Sequence, residues 1–148
     1  MEIIKITHNK KQFLDLLLLG DEQENMIDAY LECGEMFVLN ENGVMAECVV
    51  TKEADGIYEL KNIAVYPQYQ KQGYAKKLIQ FLFDHYSDCQ MMYVGTGAET
   101  STVSFYEKCG FKKSHVVKNF FIDNYDHLIF EDGKQLIDMA YLKWTRHK

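Results

Sequence analysis

Tyr58–Ile79 reads YELKNIAVYPQYQKQGYAKKLI, and a change of rhythm inside it decides the fold. From about Gly56 to Val65 the residues suit an extended strand, which stops at Tyr66-Pro67. From Gly73 the apolar residues Ala75, Leu78, Ile79, Leu82 and Tyr86 recur at helical spacing, an apolar stripe for packing on a sheet. A strand therefore hands over to a helix with a glycine at the join. The stretch Leu60–Phe83 also holds Lys61, Lys71, Lys76 and Lys77 and no Asp or Glu, a positive island in a chain of net charge −6. A helix start presents unpaired N–H groups and about half a unit of positive charge, and a glycine there lets an anion approach the backbone closely. The segment predicts a phosphate-bearing ligand. The same string also fits a plain surface helix with solvated lysines, and alone it does not separate the two.

Working outward, Ile3–Thr7 alternates like an opening strand, and Phe13, Leu16, Leu17, then Met26, Tyr30 and Leu31, fit two helical stretches around a break at Gly20-Asp21. Met36–Leu39 and Val44–Thr51 flank Asn42-Gly43, a hairpin turn whose two central positions require positive φ. Downstream, Met91–Val94 is a short strand closed by Gly95-Thr96-Gly97. Val103, Tyr106 and Glu107 belong to a helix capped by Gly110, and Phe111–Phe121 is extended in part. Asp132-Gly133 offers a second hairpin turn, leading into a final strand Leu136–Trp144. This order, early antiparallel strands followed by a strand–helix–strand unit, gives an α/β or α+β class with a central mixed sheet.

The 148 residues include a single proline and no Ser/Pro/Gly-rich tract, so one domain over residues 1–148 is expected. Lys plus Arg number 16 against 22 Asp plus Glu, a balance that repels polyanions and argues against nucleic acid as a partner. The apolar run Phe13–Leu19 is broken by Asp15 and is far shorter than the roughly 20 residues a membrane span needs. No signal peptide is recognisable. Cys33, Cys48, Cys89 and Cys109 are scattered without a Cys-x-x-Cys pair, which suits free thiols in a reducing cytoplasm. His8, His85, His115, His127 and His147 lack ligand spacing, so no metal site is expected.

The run Lys61–Ile79 resembles the GNAT superfamily of acyl-CoA-dependent N-acetyltransferases, whose signature is a strand ending at a Val-x-Pro-like corner and then Arg/Gln-x-x-Gly-x-Gly/Ala opening a helix. Phe105-Tyr106-Glu107-Lys108-Cys109-Gly110-Phe111 is similar to the family's tyrosine-bearing helix and its Gly-Phe exit. The resemblance implies a single domain with a mixed, mostly antiparallel sheet flanked by helices, in which two parallel strands splay to form the acetyl-CoA cleft. It implies that the backbone amides of Gln72, Gly73, Tyr74 and Ala75, together with Gln70, hold the pyrophosphate of acetyl-CoA, with Lys71, Lys76 and Lys77 supplying positive field. It further implies that the main chain of Ile63, Ala64 and Val65 pairs with the pantetheine like an added strand. One departure stands out: many relatives carry Asn where this chain reads Gly97-Ala98-Glu99.

By the same resemblance Tyr106 is the general acid that protonates the CoA thiolate, although in a chain with ten tyrosines a buried packing role competes. Glu59, six residues before Val65 and so expected on the face of Lys61, Ile63 and Val65, is the candidate base, directly or through water, and its competitor is a solvated strand carboxylate. Cys109 lacks a sequence-placed base, so an acetyl-cysteine route is disfavoured. Phe120, Phe121, Tyr125 and Phe130 form either a substrate wall or core. The expected function is acetyl transfer from acetyl-CoA to a primary amine of a small molecule or protein, with net acidity mildly favouring cationic acceptors such as polyamines. A non-catalytic acyl-CoA sensor or scaffold of the same fold is the alternative, and a homodimer is left open. A P-loop or dinucleotide site is excluded, since neither Gly-Lys-Ser/Thr nor Gly-x-Gly-x-x-Gly occurs.

Overall fold

The computed structural model describes residues 1–147, so of the expected domain only Lys148 lies outside the described residues. Two compact units are formed, Met1–Cys89 and Gln90–Lys148.

In the first unit, strands β1 (Glu2–Ile6), β2 (Glu35–Asn40), β3 (Val44–Ala54) and β4 (Ile57–Val65) lie side by side, each antiparallel to the next. The β2–β3 turn is made by Asn42 and Gly43, both at positive φ (55° and 126°), as the Asn-Gly pair demands. Alternation along β2 then sorts its side chains to two faces. Met36 and Val38, with Val49 of β3, pack against Leu17 of helix α1 (Leu14–Gly20) and Ile27, Tyr30 and Leu31 of α2 (Glu24–Leu31). Phe37 turns the other way and meets Phe81 and Tyr86, at the ring distances of edge-on aromatic contacts (5.2 and 6.3 Å), beside helix α3 (Tyr74–His85).

A bulge interrupts β4. Val49 faces Asn62 and Val50 faces Leu60, so Lys61 has no residue opposite it. The extra residue inverts the alternation, and the expectation that Glu59 shares a face with Ile63 and Val65 fails here. Glu59 pairs with Thr51 and Ile63 with Cys48, three positions apart on β3 and hence on opposite faces. Glu59 and Asn62 thus face the α1–α2 side. There Asn62, 3% exposed, donates from Nδ2 to the Leu17 carbonyl and to the Tyr30 hydroxyl, both at 3.0 Å, and Tyr30 donates in turn to Asp21 at 3.0 Å. Gly20 ends α1 without a side chain because a Cβ there would meet Asn62 Oδ1 at 2.1 Å.

In the second unit, β9 (Met139–Thr145) lies between β5 (Met91–Gly97) and β6 (Lys112–Val117), antiparallel to both. Met92, Val94, Ala140 and Leu142 are buried on one face, the face met by Val103 and Tyr106 of helix α4 (Ser101–Lys108). Gly110, at φ 102°, turns the chain out of α4 as a left-handed C-terminal residue. β6 supplies the extended part expected within Phe111–Phe121, and after it Asn119 (φ 58°) leads into the short helix α5 (Phe120–Asn124). The Asp132-Gly133 turn (φ 52° and 77°) closes only a small ladder, β7 (Phe130–Glu131) with β8 (Lys134–Gln135), and β9 starts at Met139, not at Leu136. The reason lies in the backbone. Leu136 N–H is spent on the Ile129 carbonyl (2.8 Å) and the Ile137 carbonyl accepts from Phe121 (3.0 Å), which ties this stretch to α5. Among the described residues no helix is long and apolar enough to cross a membrane.

Candidate acetyl-CoA site and catalytic residues

The strand-to-helix junction folds as a curled loop. Pro67–Tyr69 forms one 3-10 turn, with Tyr69 N–H donating to the Tyr66 carbonyl at 2.8 Å. Lys71 (φ 63°) and Gly73 (φ 87°) are both left-handed, and alternating handedness of this kind bends successive amides towards a common concavity. Gly73 then serves as the N-cap of α3 without any side-chain cap, and the first helical bond runs from Lys77 N–H to the Gly73 carbonyl at 3.0 Å. The amides of Tyr74, Ala75 and Lys76 precede that bond, so the helix geometry points them out of its N-terminus. Lys71 and Lys76 are exposed beside them. A Cβ on Gly73 would meet nothing within 4 Å. Its glycine is thus explained by the left-handed backbone and not by crowding within the protein.

Gln70 behaves differently from its neighbours. Its Nε2 donates to the Val65 carbonyl at 3.0 Å, so the side chain braces the loop against the end of β4. The main chain of Ile63, Ala64 and Val65 pairs with Cys48, Glu47 and Ala46 along one edge of β4.

On the α1–α2 side of β4, Lys61 Nζ stands 3.1 Å from Glu59 Oε2, with the two side chains 27% and 16% exposed. Glu59 is therefore a largely covered, ion-paired carboxylate and not a solvated one. Lys61 also lines an open depression of about 380 Å³ with Ala29, Tyr30, Cys33, Thr51, Lys52 and Glu53. Its charges are mixed, since Glu53 accepts from Thr51 Oγ1 at 2.6 Å and Lys52 lies 3.7 Å from Asp88.

In the second unit Tyr106 is 7% exposed, with its ring centre 5.2 Å from that of Phe105 and 5.7 Å from that of Phe111, both edge-on. Cys109 is 5% exposed and Cys33 is the exposed cysteine. After β5, the Ala98 N–H donates to the Asp138 carbonyl at 3.0 Å and Thr100 Oγ1 donates to the Gly97 carbonyl at 2.9 Å. Burial pushes the nearby Glu131 carboxyl above the usual range, against a Thr100 hydrogen bond that pulls it down. Of the four aromatic residues considered as a wall, Phe120, Phe121 and Tyr125 cluster, Phe121 stacking on Tyr125 at 5.6 Å, while Phe130 is exposed on β7.

Sequence reasoning missed the left-handed Lys71, the Glu59–Lys61 ion pair and the bracing roles of Gln70 and Asn62. The ion pair had a readable signal, opposite charges two apart on a strand. A lysine at φ 63° had none, because that conformation is imposed by the loop and opposed by the residue.

Residues 32–113 match the family model described as an acetyltransferase (GNAT) domain. The chain is 34% identical over 135 residues to the uncharacterized N-acetyltransferase YvbK of Bacillus subtilis (strain 168), covering 88% of this chain and 87% of that protein. A GNAT family acetyltransferase from Elizabethkingia anophelis, solved with acetyl-CoA bound, superposes with a TM-score of 0.92 at 32% identity, over 98% of this chain and 97% of that one. A Bacillus subtilis acetyltransferase in complex with CoA superposes with a TM-score of 0.89 at 31% identity, over 99% of each chain. With a family-model match over more than half of its length and a relative 34% identical over 88% of it, this chain belongs to the GNAT family of acetyltransferases.

Proposed function

We propose that this acetyltransferase moves the acetyl group of acetyl-CoA to a primary amine by direct attack within a ternary complex. The observation that carries the reading is the loop Gln70–Gly73. Two left-handed residues and an uncapped helix start turn several amides towards one point beside Lys71 and Lys76, the arrangement a pyrophosphate requires. In this reading the amides of Gln72, Gly73, Tyr74 and Ala75 bind the pyrophosphate, Gln70 fixes the loop, and the main chain of Ile63, Ala64 and Val65 takes the pantetheine as an added strand.

Each catalytic role follows from proton balance. The amine nitrogen bonds to the thioester carbonyl carbon, the carbon–sulfur bond breaks, and the sulfur leaves with its electron pair. Glu59, positioned by Lys61, accepts the proton that the attacking nitrogen must lose, directly or through water. Tyr106 gives its phenolic proton to the departing thiolate. Exchange with solvent restores both groups, and holding amine and thioester together supplies much of the rate.

The test is thiol release across a panel of primary amines, with acetyl-CoA affinity measured by calorimetry on the same protein. Amine-dependent thiol release is expected. Acetyl-CoA binding with no release for any amine would support the sensor or scaffold alternative instead.

A further inference from the structure

The three-stranded sheet of the second unit has one face under α4, and its other face carries an aromatic group that the acetyl-donor chemistry does not use. On that face the register sets Tyr141 of β9 opposite His115 of β6 and opposite Gly95 of β5, with Met139 opposite Gly97. The His115 and Tyr141 rings stack at 4.9 Å with only 10° between their planes, and Tyr93 approaches His115 at 6.3 Å in an edge-on geometry. Glycines flank the rings. A Cβ on Gly95 would meet Met139 Sδ at 2.5 Å and Tyr141 Cε1 at 3.1 Å, so the absence of a side chain there lets Tyr141 lie low across the sheet. Leu136 fills the corresponding space over Gly97 and closes that end of the platform. His115 itself is exposed, so the ring cluster opens to solvent.

The charges on this face have one sign. Lys112 and Lys143 are directly opposite each other, and the strand residues that share the face include no Asp or Glu. Two like charges across a ladder are unfavourable unless an anion is brought to them. Aromatic rings favour a planar partner in offset or edge-on contact, and ammonium groups favour a carboxylate. We propose that this face binds the acceptor, and that the acceptor is an amine carrying a planar ring and an anionic substituent, as an aromatic amino acid does. His115 and Tyr141 take the ring, and Lys112 and Lys143 take the anion. This rests on the reading of the chain as an amine acetyltransferase and narrows it. It also displaces the mild preference for polyamines that net acidity suggested, because the local charge of the platform is positive although the chain is acidic.

The experiment uses three amines, tryptophan (ring and carboxylate), tryptamine (ring alone) and spermidine (neither). Each is followed both as a substrate, by thiol release, and as a ligand of the CoA-loaded protein, by saturation-transfer NMR, which needs no turnover. Tryptophan is expected to have the lowest KM and spermidine the highest. His115→Ala, a surface change, should raise KM for tryptophan and tryptamine about 10-fold, with kcat and acetyl-CoA affinity little changed. Lys143→Glu should weaken tryptophan but not tryptamine. Should no amine be acetylated while the NMR response to tryptophan is present and is lost in His115→Ala, the transfer reading falls and the platform stands. Preference for spermidine, or tryptophan binding and KM unaltered in His115→Ala, would overturn the proposal.

Discussion

Lys61 Nζ lies 3.1 Å from Glu59 Oε2, and the β4 bulge that leaves Lys61 without a residue opposite it also turns Glu59 towards the α1–α2 side. The bulge therefore orients the candidate base as well as bending the strand. If Glu59 takes the proton of the attacking amine, Glu59→Gln should lower kcat by roughly 10²-fold with unchanged acetyl-CoA affinity and a near-native melting temperature. Steady-state kinetics with calorimetry checks this, and wild-type turnover would reduce Glu59 to the structural partner of Lys61.

Gly73 separates conformation from contact. Since a Cβ there meets nothing within 4 Å but φ is 87°, Gly73→Ala should cost only about 1 kcal/mol of stability, from the left-handed backbone. Gly73→Glu adds to this a carboxylate at the mouth of the amide cluster. Acetyl-CoA affinity measured by calorimetry should fall at least about 10-fold more in Gly73→Glu than in Gly73→Ala.

Glu47 gives the protein a pH-dependent weakness. It is fully buried in β3, and neither carboxyl oxygen has a hydrogen-bond partner among the described residues, so burial holds its pKa well above the ordinary 4.5. The folded state thus binds a proton that the unfolded state has released. Stability is full below about pH 4.5 and is lost as pH rises from there towards the folded pKa, at up to about 1.4 kcal/mol per pH unit. Glu47→Gln removes the titrating group, so the melting temperature of the variant relative to wild type should climb as pH rises above about 4.5. A difference that stays flat with pH would contradict the buried neutral acid.

Much of the first unit was legible because local chemistry and global fold agree there. Asn42-Gly43 makes the turn it announces, and the stripe through Leu78, Ile79 and Leu82 is the buried face of α3. The strand-to-helix junction at Gly73 was placed correctly for the same reason: strand, glycine and helix periods are all encoded within 22 residues. What escaped was non-local. The β4 bulge arises from the register against β3, which period-two counting along β4 alone cannot reveal. The α5 turn and the late start of β9 depend on hydrogen bonds between Phe121 and Ile137 and between Ile129 and Leu136, pairs separated by loops. The aromatic platform joins Tyr93, His115 and Tyr141 from three strands, and no sequence window contains all three.

The Tyr106 ring meets Phe105 and Phe111 edge-on, so Tyr106→Phe keeps that packing and removes only the hydroxyl. As the acid, its loss should lower kcat by roughly 10²-fold or more while acetyl-CoA affinity holds. Kinetics on the folded variant decides the point. A packing residue would leave turnover unchanged.

The central claim is direct transfer of acetyl from acetyl-CoA to an amine, and it is tested most directly by initial rates measured against both substrates, with the intact protein weighed after incubation with acetyl-CoA alone. Cys48 and Cys89 are fully buried and Cys109 is 5% exposed, which leaves these thiols poorly placed as nucleophiles. Intersecting reciprocal plots, an unmodified protein mass and an acetylated amine equal in amount to the thiol released are the predicted result. Parallel plots, together with an acetylated cysteine that amine then discharges, would contradict it.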